Sequence, residues 1–193
     1  LTERAVAQLV RETIASGAED EFCRSCHRAT GGNPLLVHEL LGAIAADGLD
    51  PSAAAVPRLN ELAARAGSRA VAIRLSRLPP AASRLARAVA ILGEDADPHC
   101  AAALADLEER PASEATTALA RADILRGHPP LGFVHPVIRA AVYKGMTGIE
   151  RERGHARAAD LLAEAGAEPE RVAAHLLRTP PAGDSRVAEV LLE

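Results

Sequence analysis

Two short runs carry the residue types with the clearest chemical use. Gly31-Gly32-Asn33-Pro34-Leu35-Leu36-Val37 and Phe133-Val134-His135-Pro136 each end a flexible or polar stretch at a proline that opens an apolar helical pattern. Asn33 reads as an N-cap with Pro34 as the first helical residue, and His135-Pro136 repeats the arrangement. A helix entrance presents unpaired backbone N–H groups and the positive end of the helix dipole, so both runs are candidate contacts for a phosphate-bearing ligand. The plain alternative is a pair of well-capped helices, which is the commoner outcome for an isolated motif.

Other patterns fall short of a site. Cys23-Arg24-Ser25-Cys26-His27 matches the C-x-x-C-H of covalent haem attachment, but helical spacing puts Cys26 on an apolar face, and Met146 is the only methionine available as an axial ligand. A structural zinc site wants a second Cys or His pair at suitable spacing, which is not seen. His38-Glu39-Leu40-Leu41-Gly42 opens like the zinc-protease H-E-x-x-H but has Gly42 where the second histidine must stand. There is no G-x-x-x-x-G-K-[ST] and no G-x-S-x-G, and no Ser or Cys has an identifiable base nearby. The chain is therefore expected to carry no catalytic residue and no metal ligand, and not to be an enzyme by itself.

Composition sets the frame for these motifs. A chain of 193 residues should hold one or two compact units. Its net charge of -4, with 25% charged residues and no block of like charge, does not call for a polyanion partner. Rings make up 2% of the chain, so base-stacking platforms are absent, and abundant Ala and Leu favour helices. No apolar run is long enough to span a bilayer and no signal-peptide pattern is present, which makes the cytoplasm the expected location. Cys23, Cys26 and Cys100 are an odd count and should be free thiols. The start at Leu1 and the closing run Val190-Leu191-Leu192 read as the ends of a segment from a larger protein.

Along the chain, apolar periodicity predicts helices that would position the two motifs. Thr2 caps a first helix with Val6, Leu9, Val10 and Ile14; a second runs from Glu19 to about Ala29; a third runs from Pro34 to about Ala46 with a stripe of Leu36, Val37, Leu40, Leu41 and Ile44. Residues 47–57, rich in Gly, Pro, Asp, Ser and Ala, read as a linker. Further helices are marked by Val71, Leu75 and Leu78; by Leu85, Val89 and Leu92; by Asp97-Pro98 with Ala101, Leu104 and Leu107; and by about Ser113 to Ala122. Ile124-Leu125-Arg126 and Leu131-Gly132-Phe133-Val134, around Gly127-His128-Pro129-Pro130, predict a small edge β-hairpin. Helices followed by a hairpin follow the winged-helix plan. Pro136 to about Tyr143 adds a helix, and the tail is helical again, with Ala156, Ala159, Leu161 and Leu162, then Val172, Leu176 and Leu177, and a last segment from about Ser185. Such pairs suit the start of an α-solenoid.

The run from Phe22 through Gly31-Gly32-Asn33-Pro34 to Leu41 resembles the lid region of the signal-transduction ATPases with numerous domains, and is most similar to the large ATP-binding regulators of the LuxR family. Gly132-Phe133-Val134-His135-Pro136 through Tyr143, and the tail from Ala156 to Leu177, resemble the same proteins in the same order. The resemblance implies a mainly α chain with a helical lid at 1–47, a linker at 48–67, a winged-helix domain with a short β-hairpin at 68–147, and the start of a helical, TPR-like sensor region at 148–193. It implies that Gly32, Asn33 and Pro34 form a lid turn against the nucleotide base and sugar, and that His135 senses the phosphates. ATP or ADP, with Mg in the intact protein, would be the cofactor, none being expected for this segment alone. The implied partners are an upstream nucleotide-binding domain of the same chain, DNA through a C-terminal helix-turn-helix, and an inducer or regulatory protein, with no membrane.

Two rivals stand beside that expectation. The winged helix could itself bind DNA, but the helix at Ser113–Ala122 offers Glu114 and Arg121 where a groove reader needs several Arg, Lys, Asn or Gln; Arg74, Arg77, Arg84 and Arg87 form the alternative basic stripe. Otherwise the chain is a helical interaction module in which nucleotide plays no part.

Overall fold

The computed structural model describes residues 1–179, and the helical segment expected from about Ser185 lies outside them. The described residues are mainly helical, with ten α-helices. They divide into two compact units: Leu1–Arg74 with His135–Ala141, and Leu75–Val134 with the chain from Val142 onward.

The first unit is built from α1 (Glu3–Thr13), α2 (Asp20–Thr30), α3 (Pro34–Asp47), most of α4 (Val56–Ser76) and the first turns of α8 (Pro136–Lys144). Its core gathers Val6 and Val10 from α1, Phe22, Cys23 and Cys26 from α2, Val37, Leu40, Leu41 and Ile44 from α3, and Leu59, Leu62 and Ala63 from α4. Fully burying a side chain the size of Phe22 contributes about 1.5–3 kcal/mol, so this cluster is the main reason the short helices persist. Gly67 of α4 lies close under Leu36 of α3 and Val137 of α8; a Cβ there would stand 3.2 Å from Val137 Cγ1 and 3.5 Å from Leu36 Cδ2. That approach sets the first turn of α8 near the first turn of α3.

Residues 48–67 do not form the expected linker. Only the Gly48–Ser52 stretch and the short 3-10 turn Ala53–Ala55 are non-α, and α4 begins at Val56. The reason is burial: Leu59, Leu62 and Ala63 fall on one helical face and complete the core of the first unit, overriding the Pro and Ala bias read as loop.

The second unit holds α5 (Pro80–Leu92), α6 (Pro98–Leu104), α7 (Glu109–Arg121), α9 (Gly148–Glu164) and α10 (Pro169–Leu176). α5 is its central rod, with Leu85, Ala86, Val89, Ile91 and Leu92 buried, and Ile91 rests on Gly154 of α9 at 3.1 Å from the position of a Cβ. The Asp97 side chain accepts from Cys100 N at 2.9 Å to start α6, and Thr147 with Glu150 forms a reciprocal capping box on α9.

The expected hairpin is a correction. Among the described residues no strand forms; there are isolated antiparallel bridges, Leu125 with Phe133 and Ala96 with Leu131. Arg126 N donates to Gly132 O at 2.8 Å and Val134 N to Ile124 O at 3.1 Å, and the ladder stops there. Pro129 and Pro130 have no N–H to extend it. In the tail, Ala156 is exposed and Leu177 is 72% exposed, whereas His155 and His175, which the periodicity reading passed over, are buried.

Candidate functional site

The site is assembled from the end of α2, the start of α3 and the start of α8, all within the first unit. α2 ends at Thr30, whose hydroxyl donates to Cys26 O at 2.8 Å and accepts from Gly32 N at 3.3 Å. The chain then turns through two left-handed residues, Gly31 at φ 57° and Gly32 at φ 69°. Left-handed geometry is inexpensive only for glycine, which explains the Gly-Gly pair.

Asn33 and His135 start their helices in the same way. Asn33 Oδ1 accepts from Leu35 N at 3.0 Å and Leu36 N at 3.3 Å, and its carbonyl accepts from Val37 N at 2.9 Å. His135 Nδ1 accepts from Val137 N at 3.2 Å, and its carbonyl accepts from Ile138 N at 3.0 Å and Arg139 N at 3.3 Å. Pro34 and Pro136 have no N–H to satisfy. Both entrances are therefore closed by their own cap residue, and neither keeps the free backbone donors that the sequence suggested for a phosphate.

What the arrangement does offer is an imidazole. With Nδ1 accepting from Val137, the neutral ring carries its proton on Nε2. Nε2 and Cδ2 lie directly against Gly31, in the volume that a Cβ at that residue would fill. Burial holds the His135 imidazole below the ordinary histidine value, which favours the neutral, capping form. His135 is half-buried and Gly31 exposed.

Of the residues singled out beforehand, Gly32, Asn33 and Pro34 share one turn, Asn33 as cap, Pro34 as first helical residue and Gly32 as a buried link beside Leu1 O and His27 Nε2. The turn meets His135 through Gly31, which had been read as part of the motif but not as a site residue. Its sign was available in the sequence: a glycine after a polar helix end marks a left-handed C-cap, the one place where a ring can approach the backbone this closely. The donor set is one imidazole N–H beside a turn without side chains. It fits contact with a single phosphate oxygen, not a cradle for a triphosphate.

The remaining candidates resolve by burial and pairing. Cys23 and Cys26 are buried in the α2 core; burial pushes both thiols up, Cys26 to about 12. Among the described residues no group of three or more His, Cys, Asp or Glu side chains is placed to hold a metal ion. In the stripe of arginines, Arg84 donates to Asp106 O at 3.3 Å and Arg87 pairs with Glu150 at 2.9 Å, so these two guanidinium groups are engaged within the second unit. No helix among the described residues is long and apolar enough to cross a membrane. Comparison with protein-family models, with curated proteins and with solved structures found no match for this chain.

Proposed function

We propose that this chain is the nucleotide-sensing lid and winged-helix portion of an ATP-dependent transcriptional regulator of the LuxR type. The observation that carries the reading is the meeting of the Gly31-Gly32 turn with His135, two motifs about a hundred residues apart that the resemblance pairs at one nucleotide. In this reading α1–α3 are the lid, α5–α7 with the Leu125–Phe133 bridge are a winged helix with a minimal wing, and α9 and α10 begin the TPR-like sensor region. The protein works in the cytoplasm. An upstream domain of the same polypeptide supplies the phosphate-binding loop and holds ATP or ADP with Mg. A C-terminal helix-turn-helix meets DNA, and an inducer or regulatory protein sets the state. This segment is not itself an enzyme.

The residues here do limited work, and their roles follow from their donors. Gly32, Asn33 and Pro34 form the lid turn against the base and sugar, Gly32 as the buried left-handed link that shapes it and Asn33 and Pro34 as the residues that hold it rigid by starting α3. His135 donates through Nε2–H to a phosphate oxygen while Nδ1 keeps its hold on Val137 N. Exchange of one nucleotide for another changes whether that acceptor is in place, a switch of the order–disorder kind.

Calorimetric titration of ADP and ATP into the protein extended upstream tests this, with His135→Ala and His135→Asn. Asn can cap α8 as Asn33 caps α3, but it cannot supply the imidazole Nε2–H. Weakened binding in both variants supports the sensor role. Binding unaltered in His135→Asn leaves His135 a cap only, and absence of nucleotide binding in every form overturns the whole reading.

A further inference from the structure

The second unit contains a buried histidine pair that the nucleotide reading does not use. His155, on the inner face of α9 with Ala158, Ala159 and Leu162, is 3% exposed; His175, on the inner face of α10 with Val172, is 6% exposed. Their Nδ1 atoms are 2.8 Å apart, and on the far side of His155 its Nε2 is 2.9 Å from the Tyr143 hydroxyl. Two like nitrogens at that distance are bonded only when one carries a proton and the other does not.

Two arrangements satisfy the chain of contacts with both rings neutral. In one, His155 donates from Nδ1 and accepts from the Tyr143 hydroxyl at Nε2. In the other, His175 donates from Nδ1 and His155 donates from Nε2 to the Tyr143 oxygen. One extra proton can also be accommodated, on His155, which then donates from both nitrogens. A second cannot, because it sets N–H against N–H in a closed interior.

Charged groups reach this corner from several elements. Arg151 of α9 lies 5.4 Å from the centroid of the Tyr143 ring. Burial chiefly, then Arg171 and Arg178, hold the His175 imidazole below its ordinary value. Arg171 also acts on Cys100 of α6, as does Asp97, the residue that caps that helix, and from α5, Arg87 is paired with Glu150 in the first turn of α9.

We propose that the His155–His175 contact is a proton-operated latch holding α10 on α9, closed while the pair shares a proton across the two Nδ1 atoms and opened when both rings are protonated in mild acid. α10 is only eight residues long and buries Val172 and His175, so loss of one of these contacts is enough to free it.

Amide hydrogen exchange on the whole chain between pH 7.5 and 5.5, corrected for intrinsic exchange, tests the latch. Protection of the α10 amides should fall about tenfold or more relative to those of α5, and His175→Leu, which leaves only His155 to titrate, should make that fall markedly smaller. Constant α10 protection in the native chain, or an equal fall in His175→Leu, overturns the proposal. Should His175→Leu fail to fold, imidazole 15N titration of the native chain decides. Coupled titration of the two rings supports the latch, and independent titration of each near the ordinary value refutes it.

Discussion

His135 occupies the space that any side chain at residue 31 would need: its Nε2 and Cδ2 rest against Gly31, which turns left-handed at φ 57°. The pairing makes the glycine and the imidazole mutually dependent. A β-carbon at residue 31 must expel the ring, and the ring cannot leave without uncapping α8.

Gly31→Ala is accordingly expected to destabilise the first unit by about 2–4 kcal/mol, combining the left-handed backbone penalty with steric displacement of a packed ring. Chemical denaturation followed by circular dichroism checks this. Gly48→Ala is the control, because Gly48 is also left-handed at φ 62° but has open space where its Cβ would go. It should show the backbone part alone, about 1–2 kcal/mol.

The caps should be separable from their neighbours. Asn33→Ala removes an acceptor serving both Leu35 N and Leu36 N and is expected to cost about 1–2 kcal/mol, while Asn33→Asp should remain within about 0.5 kcal/mol of the native chain. His135→Ala should cost about 1 kcal/mol, with most of that recovered in His135→Asn. Equal losses in His135→Ala and His135→Asn would show that ring packing, not capping, is what α8 needs.

Stability should fall on mild acidification. His135 titrates below its ordinary value, so the folded form binds fewer protons than the unfolded form once pH drops beneath about 6.5. Its contribution is fully present above that pH and is lost as pH falls through the lower folded value. Denaturation midpoints measured at pH 7.5 and 5.5 should therefore decrease, and His135→Asn should reduce the decrease. A native chain equally stable at both values would contradict the burial-driven shift.

Thiol labelling should follow burial. Cys100 is half-buried, whereas Cys23 and Cys26 are enclosed in the α2 core with their thiols held protonated. Iodoacetamide at pH 8 is expected to modify Cys100 first and the other two only after denaturant is added. Fast labelling of Cys26 in the native chain would mean that α2 leaves the core readily.

The helices of the first unit were legible because their signals are local. Asn33-Pro34 states its own cap, and Leu36, Val37, Leu40, Leu41 and Ile44 repeat at helical spacing and are all buried. The first half of α4 was hidden because Leu59, Leu62 and Ala63 are sparse among Ala, Pro and Arg, and only their place in the shared core of the first unit makes them a buried face. The hairpin was overread: apolar runs on both sides of a turn suggested pairing, but Pro129-Pro130 removes the donors a ladder requires. His155 and His175 each sit at helical spacing with buried neighbours, a sign that could have been read; their contact, twenty residues apart, exists only once α9 and α10 are paired. Gly31 was visible as a turn residue, but its tie to His135 depends on Gly67 bringing α8 and α3 together.

The closed starts of α3 and α8 also bear on what can cover them. A helix end with free N–H groups resists dehydration, because each donor stripped of water without a partner costs about 1–3 kcal/mol. Here proline deletes one donor and a single preceding residue absorbs those that follow. Either end can therefore be roofed over by another protein surface or by a flat apolar ligand with almost no desolvation cost to the backbone. Selectivity at these two ends then falls to the few side-chain atoms that remain unspent.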